Sequence, residues 1–226
     1  MKTHDNLTNA LEQILLLVAR WDHQYWVSFQ ISQDKLEAKA ASIAEQFGTR
    51  LPAWKRQDRK QVGLPNATAV SAPVLGAPDQ RQIIILATAQ VQFAHPDSPW
   101  ARERWLSRPV EFGNYVMVHE PRARGDAAWT WRLQQQVIDG LQRYLTSLVK
   151  AGKSTAVRAE TQRWLKVYTL FGGVRRQIRR VLLSARKLWQ ACHGSAWPGI
   201  SPEELPVKIG FRPMQGARDE GKTDVV

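Results

Sequence analysis

The first fifty residues carry regular helix and strand patterns. Apolar residues recur at helical spacing over residues 7–18, and Asp5 or Asn6 can cap the start of that helix. Strict alternation of apolar and polar side chains over residues 25–31 then predicts a half-buried strand. A second helical pattern follows over about 33–47. The N-terminal half therefore begins with a helix, a strand and a second helix.

Between residues 49 and 80 the periodicity disappears, and four prolines among many small residues predict a long loop. The loop contains a basic cluster with an aromatic residue inside it: Trp54, Lys55, Arg56, Arg59 and Lys60. One interpretation is a solvated loop in which the tryptophan serves as an anchor. The other is a segment that contacts a nucleic-acid strand and becomes ordered on binding.

The second half begins with strands and continues with helices. Apolar runs predict strands over residues 83–93 and 115–119, with one or two helical turns between them near 100–107. A helical pattern then extends to about residue 192, and the proline-containing stretch from Ser195 is predicted to wrap the surface. The predicted fold class is α+β: a small mixed or antiparallel sheet, with a ferredoxin-like core as the specific candidate, followed by a C-terminal basic helical bundle.

These patterns divide the chain into five segments. They are an N-terminal helix and βα unit (1–48), a basic Pro-containing loop (49–80), sheet-completing strands (81–127), a basic helical region (128–194) and an irregular C-terminal tail (195–226). The 226 residues, 43% of them hydrophobic, can form a substantial core, and no apolar run is long enough to cross a bilayer. We therefore expect a cytoplasmic protein without a membrane partner.

Positive charge is concentrated in one part of the chain. Residues 150–187 hold eleven Lys and Arg residues and one acidic residue, Glu160, whereas the whole chain has a net charge of +12. The remainder of the chain is therefore close to neutral. Such a localised charge is typical of a surface that contacts a polyanion.

Helical periodicity separates this charge from the apolar residues. In a helix over 174–192 the apolar residues form one stripe, and the basic residues form the adjoining one: Arg175, Arg176, Arg179, Arg180, Arg186 and Lys187. A preceding helix over 154–170 places Arg158, Arg163 and Lys166 opposite its own apolar face. Packed as an antiparallel pair around Gly172–Gly173, the two helices would present one continuous positive surface.

The position of Arg175 and Arg176 is unfavourable by local rules. Both lie in the first turn, where the helix dipole disfavours cations by about 0.3–1 kcal/mol each. An anion at the start of the helix would reverse this penalty, because backbone N–H groups there already favour phosphate. Arginine also suits bidentate contacts with phosphate groups. We therefore predict that the cationic stripe contacts the phosphate backbone of a nucleic acid.

One short segment resembles a known family. Trp164–Leu165, Phe171–Gly172–Gly173–Val174 and Arg179–Arg180 together resemble the glycine-rich segment of CRISPR RAMP proteins, over about twenty residues of 226. That pattern normally has further glycines after the first pair and after the paired arginines, where this chain has Arg175 and Val181. The resemblance implies a ferredoxin-like domain that binds RNA. Helical periodicity accounts for the same residues without it.

The sequence gives little support for catalysis. Residues 152–155 resemble the end of a phosphate-binding P-loop, but Ser147 stands where its first glycine belongs, and the preceding segment is helical. The histidines show no spacing typical of a metal site, so we predict no metal and no cofactor. A nuclease with His95 or His119 as general base is the least favoured function. Cys192 lies on the apolar stripe and is expected in the core.

The sequence favours a non-enzymatic protein that binds RNA or DNA through its basic helices, without base-specific readout. The cluster at residues 54–60 would form a second contact. We expect the protein to act as a subunit of a nucleoprotein assembly, of the RNA-guided or mobile-element kind, with other proteins as partners. The main alternative is a scaffold protein whose basic face binds an acidic protein.

Overall fold

The computed structural model describes residues 1–88, 106, 109–121 and 126–206. The strands are β1 (Lys2–Thr3), β2 (Tyr25–Ser32), β3 (Ala67–Val74), β4 (Ala77–Ala87), β5 (Glu111–Phe112), β6 (Tyr115–Glu120) and β7 (Ala128–Leu133). The helices are α1 (Leu7–Trp21), α2 (Leu36–Phe47), α3 (Ala53–Gln61), α4 (Gln135–Lys150), α5 (Ser154–Val167) and α6 (Gly172–His193). The broad class, a mixture of helices and sheet, is therefore confirmed.

The first sheet has the strand order β1-β3-β4-β2, and β4 pairs antiparallel with both β2 and β3. The two residues of β1 add to the edge of β3 in parallel. Helix α1 covers one face of the sheet with Leu11 and Ile14, and α2 covers the other face with Ile43 and Phe47. Both faces of this sheet are therefore buried under helices.

The first helix and strand match the sequence prediction. Asn6 caps α1, and its side-chain oxygen accepts a hydrogen bond from the backbone N–H of Asn9 at 2.9 Å. This contact satisfies one of the N–H groups that have no partner within the helix. Asp22 ends α1 in the left-handed conformation, with φ 52°. The predicted strand over 25–31 is present as β2.

The prediction of a long loop over residues 49–80 is wrong, because this segment forms α3, β3 and the start of β4. Strand β3 shows no alternation because it lies between β1 and β4 with helices on both faces, so small buried residues occupy successive positions. Helix α3 shows no apolar stripe because none of its residues is buried. The basic cluster at residues 54–60 is therefore helical.

The second sheet is an antiparallel arrangement of β5, β6 and β7. The predicted helical pattern is wrong for residues 128–133, which form β7, although Trp129, Trp131 and Leu133 alternate as strand residues do. Trp131 is fully buried, and its indole N–H donates to the carbonyl oxygen of Leu11 at 2.9 Å. This hydrogen bond connects the second sheet to α1.

Helix α4 is the central helix of the C-terminal region, and it contacts both α5 and α6. Helix α6 runs in the same direction as α4. Near its start, the Gln177 side chain bonds both backbone groups of Leu133, just before α4, at 2.8 and 3.0 Å. At its end, His193 Nε2 lies 2.7 Å from the carbonyl oxygen of Val149 in the last turn of α4. The two predicted basic helices are thus present, but each packs mainly on α4 rather than on the other.

The described part of the C-terminal stretch beyond α6, residues 194–206, contains no helix or strand and packs against α5. Ile200 and Leu205 are buried, and the backbone N–H of Ile200 donates to Thr161 Oγ1 on α5 at 3.1 Å. The rest of this tail, the end of the strand predicted over 83–93 and most of the predicted turns near 100–107 lie outside the described residues. Among the described helices, none has the length and apolar character needed to span a bilayer.

Helix α6 makes its closest approach to β7 at Gly173. A Cβ atom at Gly173 would lie 2.4 Å from the carbonyl oxygen of Trp131, whereas one at Gly172 would meet no atom closer than 3.8 Å. The Gly173 N–H also donates to Thr130 Oγ1 at 3.2 Å. The second glycine of the pair is therefore required by packing, and the first is not.

The substitution Gly173→Ala is expected to lower the free energy of unfolding by about 1–3 kcal/mol, because the backbone of β7 would have to move. Gly172→Ala is the matched control, and it should be neutral or stabilising by up to about 1 kcal/mol. Urea denaturation of both variants measures the difference. Equal destabilisation by the two substitutions would contradict this account of the helix–strand contact.

Candidate nucleic-acid interface

Helix α6 separates its apolar and basic side chains onto adjoining faces, as predicted. Its buried residues are Gly173, Val174, Ile178, Val181, Leu182, Ala185 and Trp189. Its exposed basic residues are Arg176, Arg179, Arg180, Arg186 and Lys187, and Arg175 is half-buried. The buried stripe ends at Trp189, and Cys192 beyond it is exposed, which corrects the prediction of a core thiol.

The two arginines in the first turn of α6 have partners within the protein. Arg176 forms an ion pair with the buried carboxylate of Glu120, which Arg132 of β7 also contacts. Arg175 donates from Nη1 to the carbonyl oxygen of Pro206 at 3.2 Å. Glu120 therefore supplies an anion near the start of α6, and it offsets the unfavourable interaction between Arg176 and the helix dipole.

Glu160, the only acidic residue in the basic segment, is committed to two neighbours on α5. Arg163 donates to it from Nε at 2.9 Å and from Nη2 at 2.5 Å, and the Trp164 indole N–H donates to it at 2.7 Å. The hydrogen bonds from Arg163 hold the pKa of Glu160 below its ordinary value. The carboxylate thus forms an ion pair with Arg163 and orients the buried Trp164. The charge of Arg163 is therefore already balanced by a residue of the protein.

The remaining basic residues of α5 and α6 point their charge at solvent. Arg186 has only a long contact with Glu203, at 3.7 Å. Five others have neither a hydrogen-bond nor an ion-pair partner for their side chains among the described residues: Arg158, Lys166, Arg179, Arg180 and Lys187. We call these six side chains the open cations. Long basic side chains of this kind keep their charged ends in water, where phosphate groups can reach them.

The five residues of the predicted basic cluster at 54–60 lie on helix α3 in three different environments. Arg56 and Lys60 line a cleft beside the end of α1. Trp54 and Lys55 lie outside that cleft, with Lys55 Nζ 5.2 Å from the centre of the Trp54 ring. Arg59 donates to a carbonyl oxygen of the segment before β3 at 2.8 Å, so it holds the connection between α3 and the sheet. The five residues predicted as one contact therefore do not share one surface.

The histidines named as candidate general bases are not brought into a catalytic cluster by the described residues. His119 is exposed on β6, with its ring centre 4.9 Å from that of Trp129, and the next residue, Glu120, is buried, as strand alternation predicts. His95 lies outside the described residues. Across the described ranges, no group of three or more His, Cys, Asp or Glu side chains is placed to hold a metal ion. The nuclease alternative stays a prediction.

Comparison with known proteins identifies no relative. No protein-family model, no curated protein and no solved structure matches this chain. The resemblance to RAMP proteins therefore rests on the quoted residues alone, and one of them, Gly173, has a packing role against β7.

The substitution Glu160→Gln should lower the free energy of unfolding by about 1–3 kcal/mol near pH 7, because it removes a buried, charged hydrogen-bond acceptor. The Arg163 contact lowers the pKa of Glu160, so this contribution is present above the unfolded pKa of about 4.3 and is lost as the pH falls through the folded pKa. The gap between wild type and variant should therefore narrow below about pH 4.

Urea denaturation across pH 3–7 measures this gap, and Asp79→Asn at an exposed position of β4 is the control. The control should change the free energy of unfolding by less than about 0.5 kcal/mol. A gap for Glu160→Gln that stayed constant down to pH 3 would contradict the assigned role of the carboxylate.

Proposed function

We propose that this protein binds nucleic acid through phosphate contacts made by the open cations on α5 and α6. One observation carries the proposal: Arg179, Arg180 and Lys187 are exposed, without hydrogen-bond or ion-pair partners among the described residues, on a helix whose opposite face is buried. Because that buried face fixes the rotation of α6, the basic side chains emerge in a constant direction. A rigid row of cations suits a polyanion with regularly spaced phosphate groups.

The charge pattern of α6 supports a ligand rather than a general solubility role. The helix contains no acidic residue, so none of its basic side chains is balanced within the helix. Arginines four positions apart, such as Arg175 with Arg179, repel each other by about 0.2–0.5 kcal/mol. Mixed charges would give solubility without this cost. Phosphate groups placed along the row would replace the repulsion with attraction.

The proposal includes a ferredoxin-like core and a role as a subunit of a nucleoprotein assembly. For the core, the support is that β4 lies antiparallel between β2 and β3, the order of a split β-α-β unit. Leu106 also pairs antiparallel with Trp26 through two backbone hydrogen bonds of 2.9 Å. For the assembly, the support is a set of large exposed apolar side chains that other subunits could cover: Trp54, Val62, Leu64 and Tyr144.

An acidic protein partner is the second candidate, and one observation favours it. The segment after α6 places Glu203 beside Arg186. The hydrogen bond with Ser201 and a backbone hydrogen bond lower the pKa of the Glu203 carboxyl, and the charges of Arg186 and Arg179 lower it further. An acidic peptide of this chain therefore already lies next to the open cations. A partner with a similar acidic segment could use the same surface.

Fluorescence anisotropy with labelled RNA and DNA, single-stranded and duplex, across a salt series tests the proposal. A triple variant of α6, which combines Arg179→Gln, Arg180→Gln and Lys187→Gln, should bind the nucleic acid more weakly than wild type at low salt. The association constant falls as salt is added, and the slope of its logarithm against log salt should become shallower in the variant. The expected change is about 0.7–0.9 for each phosphate group that the variant no longer neutralises. An acidic protein partner predicts instead weak binding to every nucleic acid and a defined complex with that protein.

The matched control is Lys35→Gln, Arg50→Gln, Arg143→Gln, which removes the same three charges from exposed positions outside α5 and α6. It separates a local contact from an effect of net charge. If wild type shows no binding near physiological salt, or if the two triple variants lose affinity equally, the proposed function is wrong.

A further inference from the structure

A cleft of about 570 Å³ opens between the end of α1, helix α3 and the neighbouring ends of β3 and β4. Its size falls within the range of clefts that bind small molecules. Trp21 and His23 contribute from the end of α1, and Arg56, Gln57 and Lys60 contribute from α3. The cleft is separate from the open cations. Thr8, at the other end of α1, contacts Thr169 just before α6, and α1 is about 20 Å long.

The face of α3 that meets the cleft has an unusual composition. It carries Ala53, Arg56, Gln57 and Lys60, which are spaced three and four positions apart and therefore share one side of the helix. In a surface helix this side normally carries apolar residues that pack on the core. Here it carries two cations and an amide, and no residue of α3 is buried. Helix α3 thus contributes two cations to a cleft that Arg20 and Asp22 also line.

Trp21 adds an aromatic surface to the same cleft. It is the last residue of α1 and is 50% exposed. Asp22 follows it in the left-handed conformation, which is uncommon for a residue other than glycine. The turn brings the His23 N–H within 3.2 Å of the carbonyl oxygen of Leu17. Trp21 is therefore held at the rim by a defined helix end.

His23 provides an unsatisfied polar group in the wall of the cleft. Its side chain is buried, and its Nδ1 lies 3.1 Å from the carbonyl oxygen of Trp21, so Nδ1 carries the proton. Burial lowers the pKa of His23 and favours the neutral ring, which leaves Nε2 as an acceptor. Nε2 is buried and has no hydrogen-bond partner among the described residues. A buried polar atom of this kind usually has a partner, and a water molecule is small enough to supply one without contact between Nε2 and a larger ligand in the cleft.

We propose that this cleft binds one nucleotide of a single-stranded nucleic acid, with the base against Trp21 and the phosphate between Arg56 and Lys60. An aromatic surface beside closely spaced cations is the combination that binds single strands, because every base has a stacking face and every nucleotide has a phosphate. In a duplex the base is stacked on its neighbours and cannot enter without being turned out. The inference rests on the proposed function and extends it by naming the strand state.

Anisotropy with a single-stranded 12-mer and with a duplex of the same sequence tests the cleft. Trp21→Ala and Arg56→Gln should each weaken single-strand binding about tenfold or more and leave duplex binding unchanged. The matched controls are Trp54→Ala and Lys55→Gln, which change an exposed tryptophan and a cation of α3 outside the cleft. Both controls should change single-strand affinity less than twofold. Thermal melting curves verify that all four variants are folded.

A second measurement needs no substitution. A single strand that carries 5-iodouracil is irradiated in complex with the wild-type protein, and the cross-linked peptide is identified by mass spectrometry. Cross-linking at Trp21 supports the cleft. Cross-linking at Trp54 without Trp21 overturns it.

The outcomes separate this inference from the proposed function. If the α6 triple variant loses affinity for both strand forms while Trp21→Ala and Arg56→Gln bind like wild type, the cleft assignment is wrong and the proposed function stands. Equal losses in the cleft variants and in their matched controls would also overturn the cleft assignment. If no variant on either surface changes binding, both proposals are wrong.

Discussion

The close approach of α6 to the backbone of β7 is the constraint on which the C-terminal half depends. It requires a residue without a side chain at Gly173, where a Cβ atom would lie 2.4 Å from a backbone oxygen. One turn later, Gln177 bonds both backbone groups of Leu133, the last residue of β7. Together these contacts fix the position and rotation of a 22-residue helix. The rotation decides which side chains enter the core and which basic residues face solvent.

Buried carboxylates then divide the arginines into two groups. Glu120 holds Arg132 and Arg176, and Glu160 holds Arg163, so these arginines stabilise the packing of α5, α6 and β7. A guanidinium that is already paired has little to gain from a phosphate group. The open cations have no such commitment, and they lie further along α6 or at other positions on α5. The basic residues at the start of α6 thus stabilise the fold, whereas the open cations further along the helix are available to bind a ligand.

The parts of the fold that follow from local pattern could be predicted, and the parts that depend on distant contacts could not. The stripes of α6 follow from helical spacing alone, so the exposed positions of Arg179, Arg180 and Lys187 were predictable. The pairing of Glu120 with Arg176 joins residues 56 positions apart, and no local pattern indicates it. Strand β3 is buried on both faces, and α3 is polar on all faces; each lacks the periodicity that identifies such an element. The cleft was missed for the same reason, since its walls come from α1, α3 and two strands.

Chemical footprinting of arginines tests the central claim most directly, because it locates the nucleic acid on the folded wild-type protein. The free and bound protein would be treated with phenylglyoxal and analysed by mass spectrometry of peptides. Our account predicts that bound nucleic acid protects Arg179 and Arg180, whereas Arg50 and Arg143, exposed elsewhere, react equally in both states. Equal reaction of Arg179 and Arg180 in the free and bound protein would contradict the claim that α6 carries the phosphate contacts.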